Sequence, residues 1–204
     1  RVLPRLLPGP EALENADRLI APFRKGSGRL IGIAPGSRHA TKRWDARSWA
    51  RLAILLAARG DVPLILGDDG DRAFAEEVRG LAETDIPSIA GEADLRTTVG
   101  VIARLDCLVS NDSGPMHVAG ALDTPFAAVF GPTHPDLGFA PGYPFGSMLH
   151  AGLSCSPCGI HGEHPCRLGG RPCMSLISPD MVLTEADRMM SLRAAGRPGP
   201  DIPC

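Results

Sequence analysis

Three short segments concentrate the residues able to grip an anion and a sugar. The segment Pro35-Gly36-Ser37-Arg38-His39-Ala40-Thr41-Lys42-Arg43-Trp44 carries Arg38, Lys42 and Arg43 close together. A compact, mobile ammonium such as Lys42 suits a diphosphate, whose negative charge grows as it departs. Lysine occurs only here and at Lys25, against nineteen arginines. Three charges close in sequence are also what a plain solvated loop contains. The segment Asn111-Asp112-Ser113-Gly114-Pro115-Met116-His117 places a small Ser-Gly pair where a helix can begin. Backbone N–H groups and the positive helix end favour a phosphate there. Gly114 removes the Cβ that would hold an anion away, Ser113 adds a hydroxyl donor, and His117 lies one turn further on. The alternative is an ordinary capped helix with a packed histidine. The third segment, Gly67-Asp68-Asp69-Gly70-Asp71, is acidic. In dinucleotide folds an acidic group at this address accepts hydrogen bonds from ribose hydroxyls. Asp69 and Asp71 are the candidates, although Asp71 taken alone reads first as a helix cap.

Other chemistries fit less well. Neither the Walker pattern nor Gly-x-Gly-x-x-Gly spacing is present, which disfavours a phosphate-loop NTPase or an NAD enzyme. Asp112, Ser113 and His117 do not make a hydrolase: Asn111 stands where a nucleophile elbow needs glycine, and a third partner is missing. Cys155, Cys158, Cys166 and Cys173 include one Cys-x-x-Cys knuckle. Four such thiols could hold tetrahedral zinc and staple a long loop, with His161 or His164 as substitute ligands. Free thiols or disulfides are the rival readings, and the second pair lacks knuckle spacing.

These segments need elements to position them. Residues 1–10 are proline-rich and read as a linker, and Glu11 to Phe23 as an amphipathic helix. Short apolar runs at Leu30 to Ala34, Val62 to Leu66, Ile86 to Ile89 (the weakest), Cys107 to Ser110 and Phe126 to Phe130 predict five strands. Between them lie amphipathic helices: one capped by Asp45, one carrying Phe74, Val78 and Leu81, one capped by Asp94, and one from about Pro115 to Leu122. Such alternation predicts parallel βαβ units and a doubly wound α/β domain. Residues 132–175 break the pattern, with at most one short strand near Ser147 to His150. Ser178-Pro179 then restarts a helix marked by Val182, Ala186, Met189 and Met190. The organisation expected is a linker and helix over 1–28, a ligand-binding domain over 29–190 that includes a Cys-rich loop at 151–175, and a tail over 191–204.

Composition narrows the function classes. Twenty-one basic and 23 acidic side chains leave a formal net charge of −2, so a broad electropositive field for nucleic acid is not expected. Aromatic residues make up 4% of the chain, too few for base-stacking platforms. No apolar run reaches the roughly 18–20 residues of a membrane span. The chain opens at Arg1 with neither an initiator Met nor a signal-peptide pattern and reads as a piece of a longer protein.

Together these features resemble the C-terminal, donor-binding half of glycosyltransferase family 9, the ADP-heptose:lipopolysaccharide heptosyltransferases. The resemblance rests on Ile33-Ala34-Pro35-Gly36-Ser37 with Lys42-Arg43-Trp44, on Asn111-Asp112-Ser113-Gly114-Pro115-Met116-His117, on Phe130-Gly131-Pro132-Thr133, and on Cys155-Ser156-Pro157-Cys158 with Cys166 and Cys173-Met174. It runs over roughly residues 29–190. It implies a cytoplasmic GT-B enzyme of two Rossmann-like domains that inverts the anomeric centre, needs no cofactor or catalytic metal, and meets its lipopolysaccharide core acceptor through an N-terminal domain. By motif match, Ser37 and Lys42 contact the diphosphate and sugar, and Asp112 the sugar hydroxyls. Ser113, Gly114 and His117 hold the phosphates, while Asp69 or Asp71 takes the ribose, although the family tends to use Glu nearby. Lys42 and Asp112 are thereby the catalytic candidates. The family's general base belongs to the N-terminal domain, so this chain alone is expected to bind the donor and transfer little. Another GT-B nucleotide-sugar enzyme and a non-catalytic zinc-stapled module are the alternatives.

Overall fold

The computed structural model describes residues 3–24, 26–138 and 142–196. Its helices are α1 (Pro10–Ile20), α2 (Ala46–Ala58), α3 (Arg72–Ala82), α4 (Leu95–Arg104), α5 (Gly114–Ala121), α6 (Pro172–Ser175) and α7 (Pro179–Ala194). Its strands are β1 (Leu30–Ala34), β2 (Val62–Ile65), β3 (Cys107–Asn111), β4 (Phe126–Val129) and β5 (Gly146–Leu149). All pair in parallel in the order β2-β1-β3-β4-β5. Ile33 lies beside Ile65 on one side and Val109 on the other, and Asn111 beside Val129.

The strands are apolar throughout because both faces are covered. Ile31 and Ile33 pack toward α2, α3 and α7, while Leu30 and Ala34 pack toward α1, α4 and α5. Glycine is required where helices close most tightly: a Cβ at Gly100 in α4 would overlap the Ala12 carbonyl of α1. The expected caps are present. Asp45 accepts from Ser48 N at 2.9 Å, Asp94 from Thr97 N at 2.7 Å, and Ser178 from Met181 N at 3.2 Å. Each satisfies an N–H that the helix itself leaves unpaired.

Three expectations change. Ile86 to Ile89 is not a strand but a single bridge, Ile65 to Ser88. Ile65 N donates to Pro87 O and Ile89 N to Ile65 O, both at 2.9 Å. Pro63 and Pro87 lack the N–H groups that would carry this ladder backwards. The fifth strand is instead β5, inside the irregular segment. Leu81 is 40% exposed, and α3 turns Ala75, Val78 and Ala82 inward. The last helix runs four residues into the expected tail, whose portion from residue 197 lies outside the described residues, as does Lys25. No helix is long and apolar enough to cross a membrane among the described residues.

Candidate functional site

The chain leaves β1 toward β2 on one side, then crosses to β3 on the other. The carboxyl ends of β1 and β3 therefore border the point where strand order reverses, the usual ligand crevice of an open α/β sheet. The Ser37–Arg43 loop follows β1, and Asp112-Ser113 follows β3. Asn111 ties them together: its Nδ2 donates to Pro35 O at 2.8 Å, and its Oδ1 accepts from Trp44 N at 3.0 Å. Trp44 is buried and donates from Nε1 to Ile177 O at 3.2 Å. The Lys42 loop is thus fastened to the sheet at both ends.

Lys42 and Asp112, 70 residues apart, meet. Lys42 Nζ lies 2.6 Å from Asp112 Oδ2, with side chains only 13% and 4% exposed. Thr133 Oγ1 donates to the same oxygen at 2.6 Å. Both bonds go to Oδ2, leaving Oδ1 without a hydrogen-bond partner among the described residues. Ser37, Arg38, Lys42, Asp112, Ser113 and Gly114 line one cavity of about 410 Å³. Asp112 can therefore still accept from a hydroxyl there.

Ser113 is the N-cap of α5, in extended conformation. Its hydroxyl does not cap the helix but lies 3.3 Å from Asn111 O. It is therefore not committed to the helix's own N–H groups. A Cβ at Gly114 would meet nothing within 4 Å. Packing within the chain does not demand glycine here; the space over it is open. His117, one turn on, is half-buried, and its pKa is lowered by desolvation, with Asp112 pulling it up and Lys42 pushing it down. Its imidazole is thus held toward the neutral form, close to the charge pair.

A second cleft, of about 620 Å³, adjoins the first. It shares the wall of Ser37, Arg38, Ser113 and Gly114, and continues past Asp71 to Leu95, Thr98 and Ile102. Arg38 lines both spaces and makes no hydrogen bond or ion pair among the described residues. Sequence reasoning grouped Arg38, Lys42 and Arg43 together, but the structure separates them. Arg43 is held by Nε to Ser37 O at 2.8 Å and lies 5.8 Å from the centre of the Phe74 ring. Arg38 alone of the three keeps an unengaged guanidinium.

The acidic loop also sorts itself. Asp69 does not line the cleft: it is 89% exposed and pairs with Arg72 at 2.8 Å. Asp71 does line it, pressed so closely against Gly36 and Gly67 that a Cβ on either would run into its side chain. Asp71 also accepts from Asp68 N at 3.2 Å, closing a capping box with Asp68. Asp71 thus lines the cleft and closes the box that Asp68 heads, but its side chain does not cap α3 as the sequence suggested. Desolvation, then the neighbouring Asp68 charge, raises its pKa. A raised folded pKa means the ionised form opposes folding, so stability tied to Asp71 is present below about pH 4 and lost as pH rises through the folded value. Asp71→Asn keeps an acceptor for Asp68 N and removes the charge. It is expected to raise the unfolding midpoint at pH 7, with the gain shrinking as the pH is lowered toward 4. Thermal unfolding across that range checks it, and a midpoint that falls at pH 7 would overturn it.

The sequence leaves the cysteines open between zinc, free thiols and disulfides. Cys155 is exposed and Cys173 buried, and no disulfide joins the described cysteines. Among the described residues no group of three or more His, Cys, Asp or Glu side chains is arranged to hold a metal ion. His161 and His164 therefore complete no such group. Burial raises the Cys173 pKa, and the other three thiols of the segment raise it further.

Comparison with known proteins agrees with this layout. Over 113 residues the chain is 41% identical to lipooligosaccharide heptosyltransferase 2 of Haemophilus ducreyi, covering 52% of this chain and 32% of that protein. It is 36% identical over 113 residues to lipopolysaccharide heptosyltransferase 2 of Salmonella typhimurium. The solved E. coli ADP-heptose LPS heptosyltransferase II superposes with a TM-score of 0.75 at 27% identity, over 95% of this chain and 55% of that one. The chain thus spans about half of that structure and between about a third and a half of the curated relatives it matches. The model of glycosyltransferase family 9 (heptosyltransferase) matches residues 11–159, from α1 through both fastened loops and into the Cys-rich segment, and the chain belongs to that family.

Proposed function

We propose that this chain is the donor-binding half of an inverting glycosyltransferase that moves heptose from an ADP-sugar to lipopolysaccharide core in the cytoplasm. The observation that carries the reading is the junction of the two cavities. Ser37, Arg38, Ser113 and Gly114 stand between a larger cleft with a carboxylate and apolar walls and a smaller one holding the Lys42–Asp112 pair. A nucleoside diphosphate sugar has the same order of parts. The nucleoside occupies the larger cleft, with Asp71 accepting from the ribose. The diphosphate crosses the junction at the start of α5, and the sugar lies by Asp112. The named activities of the H. ducreyi and E. coli relatives support heptose and adenine over other sugars and bases.

The chemistry follows from charge. Inverting transfer requires a base for the acceptor hydroxyl and stabilisation of the departing diphosphate. The amides at the start of α5 and the Lys42 ammonium supply the second. Because the Lys42 charge is already balanced by Asp112, the unengaged Arg38 guanidinium is the main source of net positive charge for the phosphates. His117, held toward the neutral form near the Lys42–Asp112 pair, lines neither cavity and is given no phosphate contact in this reading. The base and the acceptor site belong to another domain in this reading, and no cofactor is assigned to the transfer.

Thermal stabilisation by ADP, UDP and GDP tests the proposal. ADP at about 100 times its dissociation constant should stabilise the chain by about 2.7 kcal/mol, or a midpoint shift of about 5–10 °C. UDP and GDP should do less. Stabilisation by none of the three would remove the donor site, whereas a clear preference for UDP would keep the site and remove the heptose assignment.

A further inference from the structure

We propose that Arg171 is a positioning residue: from the Cys-rich segment it fixes the turn that carries Lys42 in the place where that ammonium meets the donor diphosphate. The inference rests on the donor-site reading above and adds to it a function for the segment that the strands and helices leave unexplained.

The turn Ala40–Lys42 is a single short 3-10 element, closed by Lys42 N to His39 O at 3.0 Å and Arg43 N to Ala40 O at 3.2 Å. So short a turn has little rigidity of its own. Arg171 Nη1 donates to Ala40 O at 2.8 Å and to Arg43 O at 2.6 Å, the carbonyls on either side of Thr41-Lys42. A second brace comes from the same segment: Thr41 Oγ1 donates to Gly162 O. Gly162, with φ +73°, comes so close that a Cβ there would sit 3.1 Å from Lys42 Cγ and 3.3 Å from Lys42 Cε. The stem of the lysine therefore lies along the backbone of the Cys-rich segment.

That segment is itself anchored. Cys158 N donates to Pro132 O at 2.7 Å and Ser156 Oγ to Gly131 O at 2.8 Å, beside the Thr133 that holds Asp112. Cys173 and Met174 are buried against Gly131. The segment thus reaches both partners of the charge pair, Asp112 through Thr133 and Lys42 through Arg171 and Gly162.

The backbone at Arg171 points to a role beyond folding. Gly169, Gly170 and Arg171 have φ of +66°, +60° and +50°. Glycine occupies the first two of these left-handed positions, where it is the residue the conformation favours, and arginine the third, where it is not. A residue persists in a disfavoured conformation where its surroundings hold it there, and Arg171 is held by the two carbonyls its side chain reaches. Here the side chain reaches the Lys42 turn.

Arg171→Gly separates the two roles, because glycine suits the backbone and removes the guanidinium. It is expected to leave the unfolding midpoint within a few degrees of wild type. It should weaken ADP about tenfold and leave adenosine, which lacks the diphosphate, nearly unchanged. Arg171→Lys should recover only part of the ADP affinity, since its side chain is shorter and its ammonium lacks the rigid plane that aims Nη1 at both carbonyls. ADP affinity in Arg171→Gly equal to wild type would overturn the proposal. So would equal losses for ADP and adenosine together with a lowered midpoint, the pattern of a merely structural residue. Failure of the wild-type chain to bind ADP would instead show that the donor-site reading itself is wrong, and the wild-type titration is read first for that reason.

Discussion

Lys42→Ala is expected to lower the affinity of the chain for ADP by about 100-fold or more while adenosine binding changes little. The variant removes one positive charge and also releases a negative one. In the wild type the Asp112 carboxylate is 4% exposed and held by Lys42 and Thr133 at Oδ2. Without the ammonium it remains as an unbalanced charge in the wall of the cavity that must receive the phosphates. Two like charges about 4 Å apart repel by about 4 kcal/mol near a protein surface. Loss of attraction and gain of repulsion therefore act in the same direction. Breaking a buried pair from one side also destabilises a fold by roughly 3–5 kcal/mol. The unfolding midpoint should fall as well.

The double variant Lys42→Ala with Asp112→Asn separates these contributions. Asparagine keeps an acceptor for Thr133 and removes the stranded charge. Both the midpoint and part of the ADP affinity should return relative to Lys42→Ala, a coupling of the kind found between contacting residues. Calorimetric titration with ADP and adenosine, and thermal unfolding, read both quantities. A single variant that binds ADP within about threefold of wild type would show that the ammonium does not face the phosphates. No recovery in the double variant would show that Asp112 is not the group Lys42 neutralises.

The features legible in the sequence were those set over a few residues. Asp45, Asp94 and Ser178 announce their helices because a cap acts on N–H groups three residues away. The apolar runs of β1, β3 and β4 are legible because both faces of each strand are buried. The strand at Gly146–Leu149 was legible within one residue, as the single short strand read near Ser147 to His150. Ile86 to Ile89, by contrast, has a strand's composition, but Pro87 within it and Pro63 opposite it cannot donate. Which carboxylate of the acidic loop turns inward was beyond sequence reasoning, since Asp71 is selected by contact with Gly36 and Gly67 and Asp69 by the pull of Arg72. The roles of Arg38 and Arg43 diverged for a similar reason, because Phe74, distant in sequence, meets Arg43 only in the folded chain. Arg171 had no local signal at all: its bonds span 128 and 131 residues. Local chemistry could suggest an anion site, but only the packed fold shows which cations are already occupied.

Gly114→Ala should reduce ADP affinity by about 30-fold or more while moving the unfolding midpoint by no more than a few degrees. Gly114 opens α5 without a positive φ, and alanine's greater helix preference is offset by its Cβ standing directly before the Pro115 ring. Beyond Ser113 and Pro115 on either side, the added Cβ meets no protein atom within 4 Å. The only thing it can displace is what enters the space over the helix start, in the wall common to both cavities. A phosphate oxygen must come to about 2.9 Å from an amide nitrogen to accept its hydrogen, and a methyl group beside that amide prevents the approach. Gly120→Ala in the same helix is the control: its Cβ would overlap the Tyr143 ring, so it should lower the unfolding midpoint and leave affinity in the folded fraction unchanged. If Gly114→Ala binds ADP as tightly as wild type, the phosphates do not lie at the start of α5. If it instead loses stability without losing affinity, the glycine belongs to the folding of the helix and not to the ligand.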